Sequence, residues 1–91
     1  MKTKFAFGTV VSTPGALDTL ARAGVTAQSL LDRHGQCDWG DCCPEDAAQN
    51  DYSLKEDGQI LSSYKVAGSV KVWIITEWDR SVTTVLLPSE Y

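Results

Sequence analysis

The sequence predicts an α+β fold, with an antiparallel sheet on one side of the molecule and short helices on the other. Three β-rich runs follow one another in the last third of the chain, at 60–66, 70–76 and 82–87. Hydrophobic residues alternate within these runs, as they do in half-buried antiparallel strands. Helix-start signals recur instead across residues 13–54. With an N-terminal strand at 4–11, these patterns predict the element order β-α-α-α-β-β-β.

The first strand is predicted from aromatic and small residues that alternate before two valines. Phe5 and Phe7 alternate with small residues, and the β-branched end of the run favours an extended backbone. Gly8 interrupts this pattern, so we expect a bulge or a close backbone approach there. The strand is expected to join the C-terminal meander in one antiparallel sheet.

Two short helices are predicted next, each with a capping residue at its start and a glycine at its end. Thr13 is a suitable N-cap, and Pro14 suits the first helical position because its missing N–H costs nothing there. Gly24 is expected to end this helix in a left-handed conformation. Thr26 caps the second helix, which Gly35 closes.

The third predicted helix begins at Pro44, and acidic residues occupy its first turn. Its apolar positions are few, which is typical of a surface helix packed along one edge of a sheet. Residues 56–58 form the turn that leads into the meander.

The middle strand of the meander is apolar on both faces. The alternation places Val70, Val72 and Ile74 on one face, and Lys71, Trp73 and Ile75 on the other. The first face suits a helix-covered core, and the second is too apolar for full exposure to water. We therefore expect exposed strand edges, or the face with Trp73 and Ile75, to support self-association.

Length and charge limit the functional classes. Ninety-one residues form one domain, 1–91, and the formal net charge is −4. The eight basic residues are scattered, so no direct binding to a nucleic-acid backbone is expected. No apolar run reaches the length of a secretory signal core or a membrane span, so the expected location is cytoplasmic, without a membrane partner.

The cysteine and histidine cluster could supply metal ligands or a nucleophile. His34, Cys37, Cys42 and Cys43 lie within ten residues. Their single-run spacing differs from that of zinc sites, and three cysteines are a poor disulfide framework. A thiolate at the start of the third helix is the alternative, but the sequence shows no oxyanion hole. We therefore predict no metal, no disulfide, no cofactor and no catalytic residue.

Two polar loops contain the candidate ligand- or partner-binding residues. Each loop places a tryptophan beside acidic residues, and the second ends in an arginine. The candidates are Asp38, Trp39, Asp41, Glu77, Trp78, Asp79 and Arg80.

These loops also have structural interpretations. The aspartates can bond local backbone N–H groups, Trp39 can anchor its loop to the core, and Arg80 can order its own loop through an ion pair. We predict that Arg80 pairs with Asp38 or Asp41, so that the two loops frame one site.

Short motifs spread over nearly the whole chain point to a genetic context. They are Phe7-Gly8, Thr13-Pro14-Gly15-Ala16-Leu17, Arg33-His34, Asp38-Trp39-Gly40-Asp41, Glu45-Asp46, Asn50 and Leu61-Ser62-Ser63-Tyr64. A closing run adds Trp73-Ile74-Ile75-Thr76-Glu77, Asp79-Arg80-Ser81, Thr83-Thr84, Leu86-Leu87-Pro88 and Glu90-Tyr91. In these residues the chain resembles a group of short, uncharacterised proteins carried on plasmids, integron cassettes and related mobile elements. It departs from the group at the three cysteines and at Trp78, where Ala would be expected. The resemblance implies a context and no reaction.

Three functions remain open from the sequence. The first is a non-catalytic interaction or accessory protein of a mobile genetic element, which acts through a protein partner or self-association. The second is an acidic inhibitor of a host defence or nucleic-acid-processing system. The third is a small ligand-binding protein or enzyme that uses the Asp38/Asp41 and Glu77/Arg80 loops.

Overall fold

A computed structural model describes residues 3–91 and shows an α+β fold. Met1 and Lys2 lie outside the described residues. Within residues 3–91 the structure has four strands, three α-helices and a final 3-10 turn. The strands are β1 (Thr9–Ser12), β2 (Ile60–Ala67), β3 (Val70–Thr76) and β4 (Val82–Leu86), and the helices are α1 (Pro14–Ala23), α2 (Ala27–Gly35) and α3 (Pro44–Glu56), with the 3-10 turn at Pro88–Glu90. The predicted element order is confirmed.

The prediction of a purely antiparallel sheet is wrong, because β1 pairs with β4 in parallel. The strand order is β1-β4-β3-β2, and Thr9 lies opposite Val82. The meander β2-β3-β4 is antiparallel, as predicted. No hairpin joins β1 to its neighbour, so the helical connection between β1 and β2 leaves the chain free to place the two strands at opposite edges.

The first strand is also shorter than predicted, because the chain approaches the β3–β4 turn very closely at Gly8. A Cβ atom at Gly8 would lie 2.2 Å from the Ser81 carbonyl oxygen, and its φ of +66° favours glycine. The close approach expected at Gly8 is confirmed. Regular pairing starts only at Thr9, whose N–H donates to the same Ser81 carbonyl at 2.9 Å.

The predicted helix boundaries of α1 and α2 are confirmed by their caps. Thr13 Oγ1 accepts a hydrogen bond from the Ala16 N–H at 3.1 Å, and Thr26 Oγ1 accepts one from Ser29 at 3.2 Å. Gly24 ends α1 in the left-handed conformation. These bonds satisfy N–H groups that a helix start leaves unpaired.

One face of the sheet forms the core with α1 and α2. The buried residues of this cluster come from both helices and from β2, β3 and β4: Ala16, Leu20, Leu30, Leu31, Tyr64, Val72, Ile74 and Val85. The opposite face is partly covered, as predicted. Ile75 is 3% exposed, and the ring of the half-buried Trp73 lies 5.8 Å from the Tyr91 ring.

The outer edge of β2 is blocked by α3 and by the loop that precedes it. The Asn50 side chain accepts from the Leu61 N–H at 2.9 Å and donates to the Leu61 carbonyl at 2.6 Å. Ser63 donates its N–H to the Trp39 carbonyl at 3.1 Å. A side chain and a loop backbone therefore replace a neighbouring strand, and α3 lies along the edge as its sparse apolar positions predict.

Replacing Asn50 with Ala is expected to destabilise the protein by about 1–2 kcal/mol, since the Leu61 N–H loses its acceptor and the Leu61 carbonyl loses one of its donors. Asn50 is 2% exposed, so water cannot readily replace the amide. Urea unfolding would measure the change. The exposed Gln49→Ala, one position away on α3, is the control and should cost much less. Equal losses for the two variants would contradict the role of Asn50 at this edge.

Candidate functional site

The loop that contains Asp38, Trp39 and Asp41 is held by local contacts. The Trp39 side chain is 8% exposed, and its indole N–H donates to Asp51 at 3.3 Å. Asp41 accepts the Lys65 N–H through Oδ2 at 3.2 Å. The loop therefore extends the cover over the β2 edge, and Trp39 anchors it to the core.

Asp38 pairs with Arg33, a residue that the sequence analysis did not assign to this loop. Arg33 Nε lies 2.7 Å from Asp38 Oδ2, and both side chains are about half exposed. The guanidinium also lies 4.6 Å from the Tyr64 ring centroid. Its hydrogen bond lowers the pKa of the Asp38 carboxyl. Because water screens the pair, we expect at most about 1 kcal/mol of stability from it.

The β3–β4 turn, residues 77–81, is held by Arg80. Its guanidinium donates to the carbonyl of Ser53 at 2.8 Å and to that of Gly58 at 2.7 Å. It also donates to the Glu77 carbonyl at 3.1 Å and the Trp78 carbonyl at 3.2 Å. Arg80 therefore joins the turn to the last part of α3 and to Gly58, which follows the helix.

The predicted pair between Arg80 and Asp38 or Asp41 is wrong. In the described part of the chain the ion pairs are Arg22–Asp18 and Arg33–Asp38. Carbonyl groups occupy both terminal nitrogens of Arg80. The Phe5 ring lies between the two loops, 6.0 Å from the Arg80 guanidinium and 6.3 Å from the Trp39 ring. Aromatic packing replaces the expected salt bridge.

The seven candidate residues therefore differ in what they offer to another molecule. Asp38, Asp41, Trp39 and Arg80 have intramolecular partners. Trp78 is 62% exposed at the tip of the turn. Asp79 beside it accepts from the Ser81 hydroxyl at 2.6 Å, a bond that lowers the pKa of its carboxyl. Glu77 is half-buried at the start of the turn.

A chain of buried hydrogen bonds crosses the core face of the sheet and centres on His34. His34 Nδ1 bonds the Ser62 hydroxyl, and Nε2 bonds Thr76 Oγ1 at 2.9 Å. Thr76 bonds Thr83 at 2.8 Å, and Thr83 donates to the Phe7 carbonyl at 2.8 Å. Except for the Phe7 carbonyl, all members are side chains with 0% exposure.

The carbonyl at the end of this chain determines the direction of every bond in it. The Phe7 carbonyl can only accept, so the single hydroxyl proton of Thr83 is used there. Thr76 must then donate to Thr83, which leaves its oxygen to accept from His34 Nε2–H. Nδ1 of the neutral ring accepts from Ser62. The ring is thus a neutral Nε2–H tautomer.

Burial keeps this histidine neutral. Desolvation lowers the pKa of His34 to about 3. Aromatic rings surround it, with centroid distances of 5.2 Å to Phe5, 5.7 Å to Phe7 and 5.9 Å to Trp39. A histidine closed off in this way cannot reach a substrate, so its role is structural. The sequence indicates His34 as part of the cysteine and histidine cluster and does not predict these partners.

A shallow groove of about 340 Å³ lies between the start of α3 and the outer face of β2 and β3. Cys42 lines it and donates its thiol to the Leu61 carbonyl at 3.2 Å. Burial raises the pKa of this thiol, which opposes nucleophile activation. Cys37, Cys42 and Cys43 are free thiols. Across residues 3–91, no three His, Cys, Asp or Glu side chains are arranged to hold a metal ion.

Comparisons with known proteins give no relative. No protein-family model matches the chain, and neither a curated protein nor a solved structure matches it. Among the helices in residues 3–91, none has the length and apolar character needed to span a membrane.

Proposed function

We propose that this protein is a non-catalytic interaction module, and that Trp78 is the side chain it inserts into a protein partner. In keeping with the resemblance described above, we propose that it is an accessory protein of a mobile genetic element that acts in the cytoplasm. The observation that supports this function is an exposed tryptophan on a rigid turn.

The side chain of Trp78 leaves much of its apolar surface in contact with water. An indole that is 62% exposed leaves apolar area in water that burial would stabilise at about 25 cal/mol per Å². Tryptophan is among the residues that most often dominate the binding energy of protein interfaces. The solvated indole therefore favours a partner with an apolar pocket.

The turn is ordered before any partner binds. Four carbonyls accept from Arg80, and the Arg80 N–H donates to the Glu77 carbonyl at 2.9 Å. Asp79 bonds the Ser81 N–H at 3.1 Å. Binding through Trp78 therefore requires little further ordering of the turn backbone. A small loss of backbone entropy on binding is the usual advantage of a preorganised binding loop.

The chemistry around Trp78 indicates the kind of partner. Asp79 is exposed next to it, and the net charge of the chain is −4. We therefore propose a partner protein with an apolar pocket and a basic rim. The resembling proteins lead one to expect Ala at this position, so the interaction would be specific to this chain.

The other two functions have less support. Asp38 and Asp41, which a ligand-binding protein or enzyme would use together with Glu77 and Arg80, bond Arg33 and the Lys65 N–H instead. The groove near α3 is lined by Cys42, a thiol whose pKa burial raises, and no histidine lines it. Interaction through Trp78 is therefore the function that the geometry supports best.

Replacing Trp78 with Ala is expected to weaken partner binding strongly and to leave folding intact. The wild-type protein would be immobilised, and proteins retained from a host-cell extract would be identified and purified. Removal of a central interface tryptophan typically costs 2 kcal/mol or more, roughly a thirtyfold increase in Kd. Calorimetry with the purified partner would measure that increase.

Tyr52 supplies the matched control, because this aromatic on α3 is 61% exposed. Tyr52→Ala should keep the partner with unchanged affinity. Unfolding curves of both variants would establish that each is folded. A purified partner that binds Trp78→Ala as tightly as wild type would overturn the proposal, and so would the failure of any host protein to bind directly.

A further inference from the structure

The two edges of the sheet differ sharply. The β2 edge is covered by Asn50 and the loop before α3, whereas β1 pairs only with β4. Thr9 and Thr13 donate their N–H groups toward β4. Backbone groups alternate in direction along a strand, so those of Val10 and Ser12 face away from the sheet. Within residues 3–91, no strand pairs with this side of β1.

The β1 edge is short, at four residues, but it carries no charged side chain that would oppose pairing. Exposed edges are commonly guarded by charged side chains, prolines or bulges. Residues 5–17 contain no Asp, Glu, Lys or Arg, although 22% of the chain is charged. Val10 and Val11 are each 43% exposed, and the alternation places them on opposite faces of the strand. Each face of the strand therefore presents an exposed valine at this edge, and the outward backbone groups of Val10 and Ser12 are available for hydrogen bonding.

We propose that two copies of this chain pair antiparallel through β1, so that their sheets join into one eight-stranded sheet. Val10 of each copy exchanges both backbone hydrogen bonds with Ser12 of the other. This register gives four new hydrogen bonds. It also brings Val11 opposite its own copy in a non-hydrogen-bonded pair, where Cα atoms lie about 4.5 Å apart.

A second copy suits this edge better than a foreign peptide. Val10 and Ser12 offer outward groups over a short strand, and a single peptide would gain little besides those bonds. A second copy brings the same two exposed valines and adds no charge at the contact. Because the β2 edge is blocked, pairing ends with a closed two-fold dimer and does not extend into a filament.

Disulfide trapping at Val11 tests both the partner and the register. In a background with Cys37, Cys42 and Cys43 replaced by Ser, Val11→Cys should form an intermolecular disulfide rapidly, since the Cα separation lies within the range that disulfides bridge. Val70→Cys is the matched control, because Val70 is also 43% exposed. Val11→Cys should be trapped at least tenfold faster. Equal trapping rates would overturn the register.

Analytical ultracentrifugation of the protein with its native cysteines supplies the second test. Wild type and Val70→Lys should show a monomer–dimer equilibrium, and Val11→Lys should shift it to monomer by placing two like charges opposite each other. A wild-type protein that stays monomeric up to the highest soluble concentration would overturn the dimer. Dimers that persist unchanged in Val11→Lys would overturn the role of β1. Neither result would bear on partner binding through Trp78.

Discussion

The protein is expected to lose stability in acid, and replacing His34 with Gln is expected to make that loss less steep. The pKa of His34 is lowered to about 3 in the folded state, against 6.5 for the unperturbed group. Between these values the unfolded chain binds one proton that the folded chain does not. The free energy of unfolding therefore falls as pH decreases, by about 1.4 kcal/mol per pH unit.

The sign of the effect follows from the depressed pKa. The stability that neutral His34 provides is complete above about pH 6.5 and is lost as pH falls toward about 3, for a total of roughly 3–5 kcal/mol. A protonated ring would have to donate from both nitrogens. The Ser62 hydroxyl proton, which now points at Nδ1, would then need another acceptor.

Urea unfolding of wild type and His34→Gln from about pH 7 to about pH 4.5 would measure the difference in slope. The variant lacks the His34 imidazole, which binds a proton in this pH range only in the unfolded chain. The carboxylates are the same in both proteins, so they do not contribute to the difference in slope. His34→Gln should be less stable at neutral pH, because Gln cannot fill the aromatic pocket. Parallel curves for the two proteins would show that His34 is not held neutral by the fold.

Arg80→Ala is expected to destabilise the protein by about 2–4 kcal/mol, since it removes a charged donor from four carbonyls. The side chain is half-buried, so water restores only part of what is lost. Arg80→Lys should recover little of this, because an ammonium cannot reach the carbonyls of Ser53 and Gly58 in the way that a planar guanidinium does. Urea unfolding would measure both variants.

Arg80→Gly separates the side chain from the backbone. Arg80 has a φ of +60°, a left-handed conformation that glycine adopts freely. Arg80→Gly should therefore be less destabilised than Arg80→Ala by up to about 1 kcal/mol. A double-mutant cycle between Arg80→Ala and Asp41→Ala should show no coupling. A coupling energy well above zero would instead support the predicted pair between Arg80 and Asp41.

Much of the fold could be predicted from local signals. Thr13, Pro14 and Gly24 act within a few residues of themselves, and so do the alternating side chains of β3. The parallel pairing of β1 with β4 could not be predicted, because it joins segments at opposite ends of the chain. No local pattern distinguishes a strand with a parallel neighbour from one with an antiparallel neighbour when both are short.

The partners of Arg80 and Asp38 escaped prediction for a related reason. Opposite charges in the two polar loops predict a salt bridge, but the acceptors of Arg80 are backbone carbonyls. Every residue has a backbone carbonyl, so the sequence does not indicate which ones an arginine will contact. Asp38 found Arg33, only five residues earlier, because the turn after α2 folds back on that helix. The aromatic ring of Phe5 was assigned to a strand, although it packs between the two loops.

The sheet order has a consequence for synthesis on the ribosome. Residues 39–50, which cover the β2 edge, leave the ribosome before β2 itself. They can therefore cover this edge as soon as the strand emerges. β1, in contrast, is the first of the four strands to be made, and its neighbour β4 is the last of the four. Such distant pairings are slow to form. Until β4 has been made, β1 therefore has both edges open, and that interval is when the nascent chain is most exposed to premature association.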